Sequence, residues 1–485
     1  MSDQRFGCET WIRKRQGGSI FAAVFLAISF SVGCQRPSND STQKPGVEQA
    51  VSDAVDAYIY GYPLVTMDMT RKVYSNTATA TDSRAPMGQF IRMRTYPAVD
   101  DHTVTAPNAD TLYTVLWLDV SKEPWVISVP DMGTRYYMLP LLDGWTEVLE
   151  SPGTRTTGDK AQKFAITGPG WTGTLPPGVA EYKSATGLVW MLGRIYCTGT
   201  AADYQAVHAL QDKFSAVPLS YYGKAFTPLP GEPDASLDAK TPTRNQVDSM
   251  GVSDYFEYLA RLLKINPPTA ADGPIVAKMA RIGVVPGQDF DGSKLGTFDK
   301  EAIKVVPKLA QAKMLEHLLK LPQVNGWLFT TEAGSYGTDY LQRAVIAAIG
   351  LGANLPKDAV YPMGRKDGSG DELNGSKKYT MHFDKGEFPP VKGFWSLTMY
   401  DKDMFFVPNQ INRYTLSSRN KFVTNTDGSV DFYLQADSPG KNKDANWLPT
   451  PKAKFTPMLR LYWPSETPPS MIDGTWKPPA IKEVQ

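Results

Sequence analysis

The chain has 485 residues, with 51 basic against 50 acidic side chains and a formal net charge of +1. So even a balance gives no overall field for steering toward nucleic acid. The length is ample for two or more domains, each with its own core.

The first residues read as an export signal. Arg13, Lys14 and Arg15 form a basic start, residues 20–30 an apolar run, and "SVGC" (31–34) a small-residue site ending in cysteine. The run is short of the roughly 20 residues a membrane-spanning helix needs, and it suits the core of a signal peptide. Cys34 directly after Gly33 resembles a bacterial lipobox, although Ser31 stands where that motif prefers Leu. A plain signal peptide cut nearby is the other reading. Lipidation at Cys34 predicts a membrane anchor, and Gln35 after it points to the outer membrane, facing the periplasm. Removing residues 1–33 takes away Arg5, Arg13, Lys14, Arg15, Asp3 and Glu9, which leaves 47 basic and 48 acidic side chains, net −1. With Cys8 removed and Cys34 lipidated, Cys197 stands alone. No intramolecular disulfide is then available, and stability must come from the core.

Residues 34–50 are polar and aperiodic, a flexible tether by composition. The folded body is expected from Val51, where "VSDAVDAYIYGYPLV" has helical spacing until Gly61 and Pro63 interrupt it. This helix leads an N-terminal β domain over 51–215. From residue 111 the runs "TLYTVLWLDV", "PWVISV", "RYYMLPLL", "KFAITGPGW" and "GLVWMLGRIYCT" read as strands separated by Pro and Gly. A helical section follows over 216–350, after a first helix at 201–214. Helical spacing recurs at 253–264, 307–320 and 338–350, the last with Thr338 as its cap, and a proline-rich loop spans 228–244. Strands resume over 351–485 with "KKYTMHF", "FWSLTMY", "FFVPN", "SVDFYLQA" and "PMLRLYW". Asp427 and Gly428 predict a type I′ hairpin turn. The expected class is mainly β with α: two jelly-roll-like β domains with a helical section between them.

Familiar catalytic signatures are missing. "GPGWTG" (168–173) spells a nucleotide loop, but Pro169 lacks the N–H a phosphate cradle needs. Ser418 and Lys421 fit S-x-x-K without its partner motifs, and neither G-x-S-x-G nor H-E-x-x-H occurs. Of four histidines, His208 and His317 lie in helical patterns. In "YTMHF", Tyr379, Met381 and Phe383 share one strand face, and His382 points to the other. A strand histidine facing a cavity moves protons or binds metal; a structural histidine is the plainer reading. Asp100, Asp101, His102 and Asp110 lie close in sequence and have the ligand types that suit Zn, Mn or Mg.

In "PNADTLYTVLWL" (107–118), Asn108 and Asp110 are suited to a turn into the strand. The functional alternative makes Asp110 an acid, base or ligand at a strand mouth and Tyr113 a hydrogen-bond donor. Arg135, Arg413 beside Tyr414, and Arg460 are charges inside aromatic-rich, strand-like segments. Such arginines pair with carboxylates or stack on rings; as functional groups they would hold an anionic or sugar-like ligand.

The segments "AYIYGYPLV", "PNADTLYTVLWLDVSKEPWVISVPD", "RYYMLPLLDGW", "GPGWTGTLP" and "VWMLGRIY" resemble the bacterial domain-of-unknown-function family 1254. "YTMHF", "PPVKGFWSLTMYD", "NRYTL", "DGSVDFYLQ" and "NWLPTPKAKF" are similar to its C-terminal companion, family 1214. The resemblance implies jelly-roll β domains joined by helices and a homo-oligomer, a trimer in some similar architectures. It implies no chemistry. Two functional expectations therefore stand. One is a hydrolase with a site at a β-domain mouth or domain junction, using Asp110, Tyr113 and His382, with or without a divalent metal. The other is a non-catalytic carbohydrate-binding or structural envelope lipoprotein.

Overall fold

A computed structural model describes residues 44–101, 105–296 and 300–484. The export signal, Cys34, residues 35–43 of the expected tether, and His102 lie outside the described residues. Among the described residues no helix is long and apolar enough to cross a membrane.

The chain opens with one long helix, Lys44–Ser75. It begins ahead of Val51, inside the stretch expected to be flexible, and runs through Gly61 and Pro63 where an interruption was expected. Packing overrides the local preference. Tyr58, Tyr60 and Tyr62 are fully buried, and a Cβ on Gly61 would meet Leu259 at 2.5 Å, so glycine here lets a second helix come close. The tyrosine hydroxyls are satisfied across the bundle: Tyr62 donates to Asp248 at 2.8 Å and Tyr60 to Asp272 at 3.3 Å. The partners are the helices Val252–Leu262, Gly273–Arg281, Val306–Leu319 and Tyr340–Gly350, which share one apolar core with it. The second of these was not legible from spacing. The last is capped by Asp339, whose side chain accepts from the Gln342 N–H at 3.0 Å, and not by Thr338.

The N-terminal β unit is a six-stranded sheet packed on a four-stranded one. Its central pair, Thr111–Asp119 and Leu188–Tyr196, is antiparallel with Tyr113 opposite Arg194 and Trp117 opposite Trp190. One face buries Leu116, Leu118 and Met191 against Ile127, Phe164 and Ile166 of the second sheet. The other buries Val115, Trp117, Trp190 and Leu192 against Met67 of the long helix. Burial on both faces explains why these strands read as continuous apolar runs. "RYYMLPLL" forms two short strands, Tyr137–Met138 and Leu141–Asp143, on either side of Pro140, which cannot donate to a ladder.

The C-terminal unit repeats the plan, with a seven-stranded sheet facing a four-stranded one. Val391–Asp401 and Phe455–Pro464 form its central pair, with Phe394 opposite Tyr462 and Ser396 opposite Arg460. Trp395, Leu397, Leu459 and Leu461 point into the core. The alternate residues Phe394, Ser396, Thr398, Arg460 and Tyr462 face the other way, toward the N-terminal unit, and are buried there. "FFVPN" contributes only an isolated bridge, Tyr400 to Phe406. At the expected hairpin only Gly428 has positive φ, 87°, and its N–H bonds Asn425 O at 3.0 Å, so the turn is not type I′. Two β units with helices between them match the mainly β with α class expected from the sequence, without establishing the jelly-roll strand order, and the leading helix packs with the later helices into one bundle.

Candidate functional site

The polar knot at residues 107–110 lies where the two β units meet. Asn108 Oδ1 accepts the N–H groups of Asp110 at 2.6 Å and Thr111 at 3.1 Å, which makes the turn into the strand. Its amide also reaches across the junction and donates to the Tyr462 hydroxyl at 2.8 Å. Asp110 is wholly buried; Ser396 Oγ donates to it at 2.6 Å and Arg419 Nη1 at 3.0 Å. Tyr400 donates to the Pro107 carbonyl at 2.6 Å. The turn therefore fastens the N-terminal strand to four groups of the C-terminal unit, and Asp110 is spent in that clamp.

Beside the clamp is a cavity of about 490 Å³, lined by both β units and the helical section. Asn108, Tyr113, Arg194, Tyr361, Arg460 and Tyr462 form its polar floor, and Ile346, Ile349, Leu328 and Phe329 are among its apolar walls. Tyr113 and Arg194 are brought together by strand register, since residues directly opposite on an antiparallel pair project from the same face. The Arg194 guanidinium lies 5.1 Å from the Tyr113 ring centroid. It donates to Leu192 O at 3.1 Å and Asn354 Oδ1 at 3.2 Å, and its Nε has no partner. Arg460 donates to Thr398 Oγ1 at 2.9 Å, to the Tyr400 hydroxyl at 2.6 Å and to Ala106 O at 2.9 Å. Ala106 itself has φ of 51°, a left-handed conformation that is costly for a residue with a side chain and that aims its carbonyl at Arg460.

None of these acceptors of the two buried guanidiniums is a carboxylate. No Asp or Glu lines the cavity among the described residues. The tyrosines respond in opposite directions. Burial pushes the Tyr113 phenol up, but Arg194 and then Arg460 outweigh it and hold it below its ordinary range. Tyr462 is pushed well up by burial, then by the neighbouring Tyr361 and Tyr113 hydroxyls.

The structure thus joins Asn108 and Tyr113, expected from the sequence, with Arg460, and places the other expected residues elsewhere. His382 is on the outer face of its strand, largely exposed, with Nδ1 2.6 Å from Asp431, whose carboxylate raises its pKa. It faces solvent and does not line this cavity. Arg135 is paired with Asp203 at 2.6 Å. Arg413 donates to the carbonyls of Asp444 and Trp447, and the Tyr414 ring packs on Phe406. Asp101 sits in a turn, its N–H bonding Ala98 O at 3.0 Å, and its expected co-ligand His102 is outside the described residues. Among the described residues no three His, Cys, Asp or Glu side chains gather so as to hold a metal ion. Arg194, Asn354 and Tyr361 were not singled out from the sequence. The available signal for Arg194 was a lone charge inside the otherwise apolar "LVWMLGRIY".

Comparison with known proteins matches residues 87–218 to a protein of unknown function, DUF1254, and residues 358–466 to a second, DUF1214. A crystal structure of the VPA0106 protein from Vibrio parahaemolyticus is 28% identical, with a TM-score of 0.66, over 90% of this chain and 100% of that one. An uncharacterized protein from Burkholderia cenocepacia is 11% identical, with a TM-score of 0.42, over 91% of this chain and 96% of that one. No curated protein matches.

Proposed function

In this two-domain DUF1254 and DUF1214 protein, we propose that the junction cavity is an active site in which Tyr113 moves a proton and Arg194 and Arg460 hold negative charge. The observation that carries this reading is the placement of Tyr113: it opens onto the cavity directly across the strand pair from a buried arginine. A phenol held below its ordinary range by two guanidiniums gives up its proton more readily than a free tyrosine, which is what a general base or acid requires. Hydrolysis suits this set. Tyr113 would take a proton from an attacking water, and the fixed guanidiniums would stabilise the oxyanion that forms. The Asp110 and His382 roles expected from the sequence have no place in it.

The test is Tyr113→Phe, which keeps the ring and removes only the hydroxyl. In the mature protein, turnover of esters or phosphodiesters found by screening is expected to fall about 100-fold, with the thermal midpoint little changed. Wild-type turnover should rise with pH as the phenol ionises, and that limb should vanish in the variant. Undiminished turnover by folded Tyr113→Phe would sink the reading.

We propose further that the protein is exported and held by lipid at Cys34. A palmitate analogue should label the wild type in cells and fail to label Cys34→Ala; equal labelling of both would refute the anchor.

A further inference from the structure

The cavity floor carries an excess of positive charge. Arg194 and Arg460 are 6% and 4% exposed, and neither is bonded to a carboxylate. The carboxylate that acts on Arg460, Asp110, is already held by Arg419 and Ser396. The third arginine at the cavity, Arg244, is answered by Asp248 at 3.3 Å. A buried charge is strongly unfavourable without a partner, and the Arg194 Nε has no acceptor at all. Two guanidiniums thus face the cavity with no carboxylate of their own, and an anionic occupant would answer them. Its walls are of another kind. Ile346, Ala347 and Ile349 from the Tyr340–Gly350 helix face Leu328, Phe329 and Met363, a surface that rewards an apolar occupant.

We infer that the ligand is an amphipathic carboxylate, its head held by Arg194 and Arg460 and its apolar body laid along the Tyr340–Gly350 helix. This deepens the proposed function by naming the acid that ester hydrolysis in the cavity would release: water adds to the acyl carbon, the alcohol leaves, and the carboxylate formed is the head that the two guanidiniums hold. It rests on the cavity being the substrate site, and not on proton transfer by Tyr113. A two-oxygen head matches the planar guanidinium fork, and the two guanidiniums spend five of their ten N–H groups on these acceptors, which leaves donors for both carboxylate oxygens.

The experiment is calorimetric titration of the mature full chain with octanoate, octyl phosphate and octanol. Octanoate is expected to bind, with octanol and octyl phosphate at least about tenfold weaker. Arg194→Met and Arg460→Met should each weaken octanoate about tenfold or more. Those positions are buried, so a variant that fails to fold would be replaced by Ala348→Phe. Ala348 is only half-buried on the same helix and lines the cavity, and the larger ring should exclude octanoate while the thermal midpoint stays near wild type. Equal binding of octanol and octanoate, absence of octanoate binding, tighter octyl phosphate binding, or full octanoate affinity in Ala348→Phe would each overturn the inference. Tyr113→Phe separates the two readings. Octanoate bound by a variant that keeps full turnover removes the catalytic reading alone, whereas lost turnover in a protein that never binds octanoate removes the carboxylate alone.

Discussion

Replacing Asp110 with alanine is expected to destabilise the protein by about 2–4 kcal/mol, more than any other single change in the "PNAD" turn. The carboxylate is fully buried, accepts from Ser396 and Arg419, and comes from the N-terminal unit while both donors come from the C-terminal one. Removing it strands a guanidinium and a hydroxyl in the junction, and the cost of an orphaned buried charge exceeds that of a lost contact. The figure stays below the upper range for such pairs because the Arg419 side chain is 22% exposed and water relieves part of the loss. The double variant Asp110→Ala with Arg419→Met should recover part of the stability, since it leaves no unpaired charge. Urea unfolding followed by circular dichroism at pH 7 measures both. An unchanged midpoint in Asp110→Ala would mean that the turn does not fasten the two units. Asn108→Ala should cost less, about 1 kcal/mol, as the loss of a local side-chain turn.

That contrast shows what was legible in the sequence. A polar turn leading into an apolar strand is a local pattern, so the Asn108 turn and the strand after it follow from residue types alone. The strand, helix, strand order is likewise carried by spacing. The destination of the side chains is not local. Asp110 meets groups from residues 396 and 419, and Tyr113 meets Arg194 through strand register. Nothing within a window of ten residues tells Asp110, closed inside a clamp, from Tyr113, open to a cavity. The alternation in "YTMHF" placed His382 correctly on the face away from the core, yet could not say whether that face meets solvent or a cavity; it meets solvent, and Asp431. The long helix shows the reverse failure. Gly61 and Pro63 are helix-breaking by type, and the helix persists because Gly61 admits Leu259 and three tyrosines are buried around it.

Asp143→Asn is expected to make the protein more stable at pH 8 and nearly neutral at pH 4. Asp143 ends the strand Leu141–Asp143 and is 3% exposed. Its Oδ1 accepts the N–H groups of Trp145 at 2.9 Å and Glu147 at 3.0 Å. Burial pushes its pKa up to about 7; the Glu147 N–H works against that, and the Glu147 carboxylate adds to it. Arg343 is near enough to lower it, yet its closer carboxylate is Glu147, at 3.8 Å. The folded carboxyl therefore holds its proton more tightly than the unfolded one, whose value is about 3.9. Where the folded state binds more protons, stability falls as pH rises. The loss runs from about pH 4 to about pH 7 and is complete above it. Three units would correspond to about 4 kcal/mol as an upper bound. Local relaxation around the ionised group makes about 1–3 kcal/mol the expected span. An asparagine of the same shape keeps the acceptor for both N–H groups and cannot ionise, so the slope should disappear and the variant's advantage should grow across that window. Urea midpoints at pH 5 and pH 8 decide it: an advantage that shrinks with rising pH, or a wild type equally stable at both, would show that Asp143 is ionised in the fold throughout.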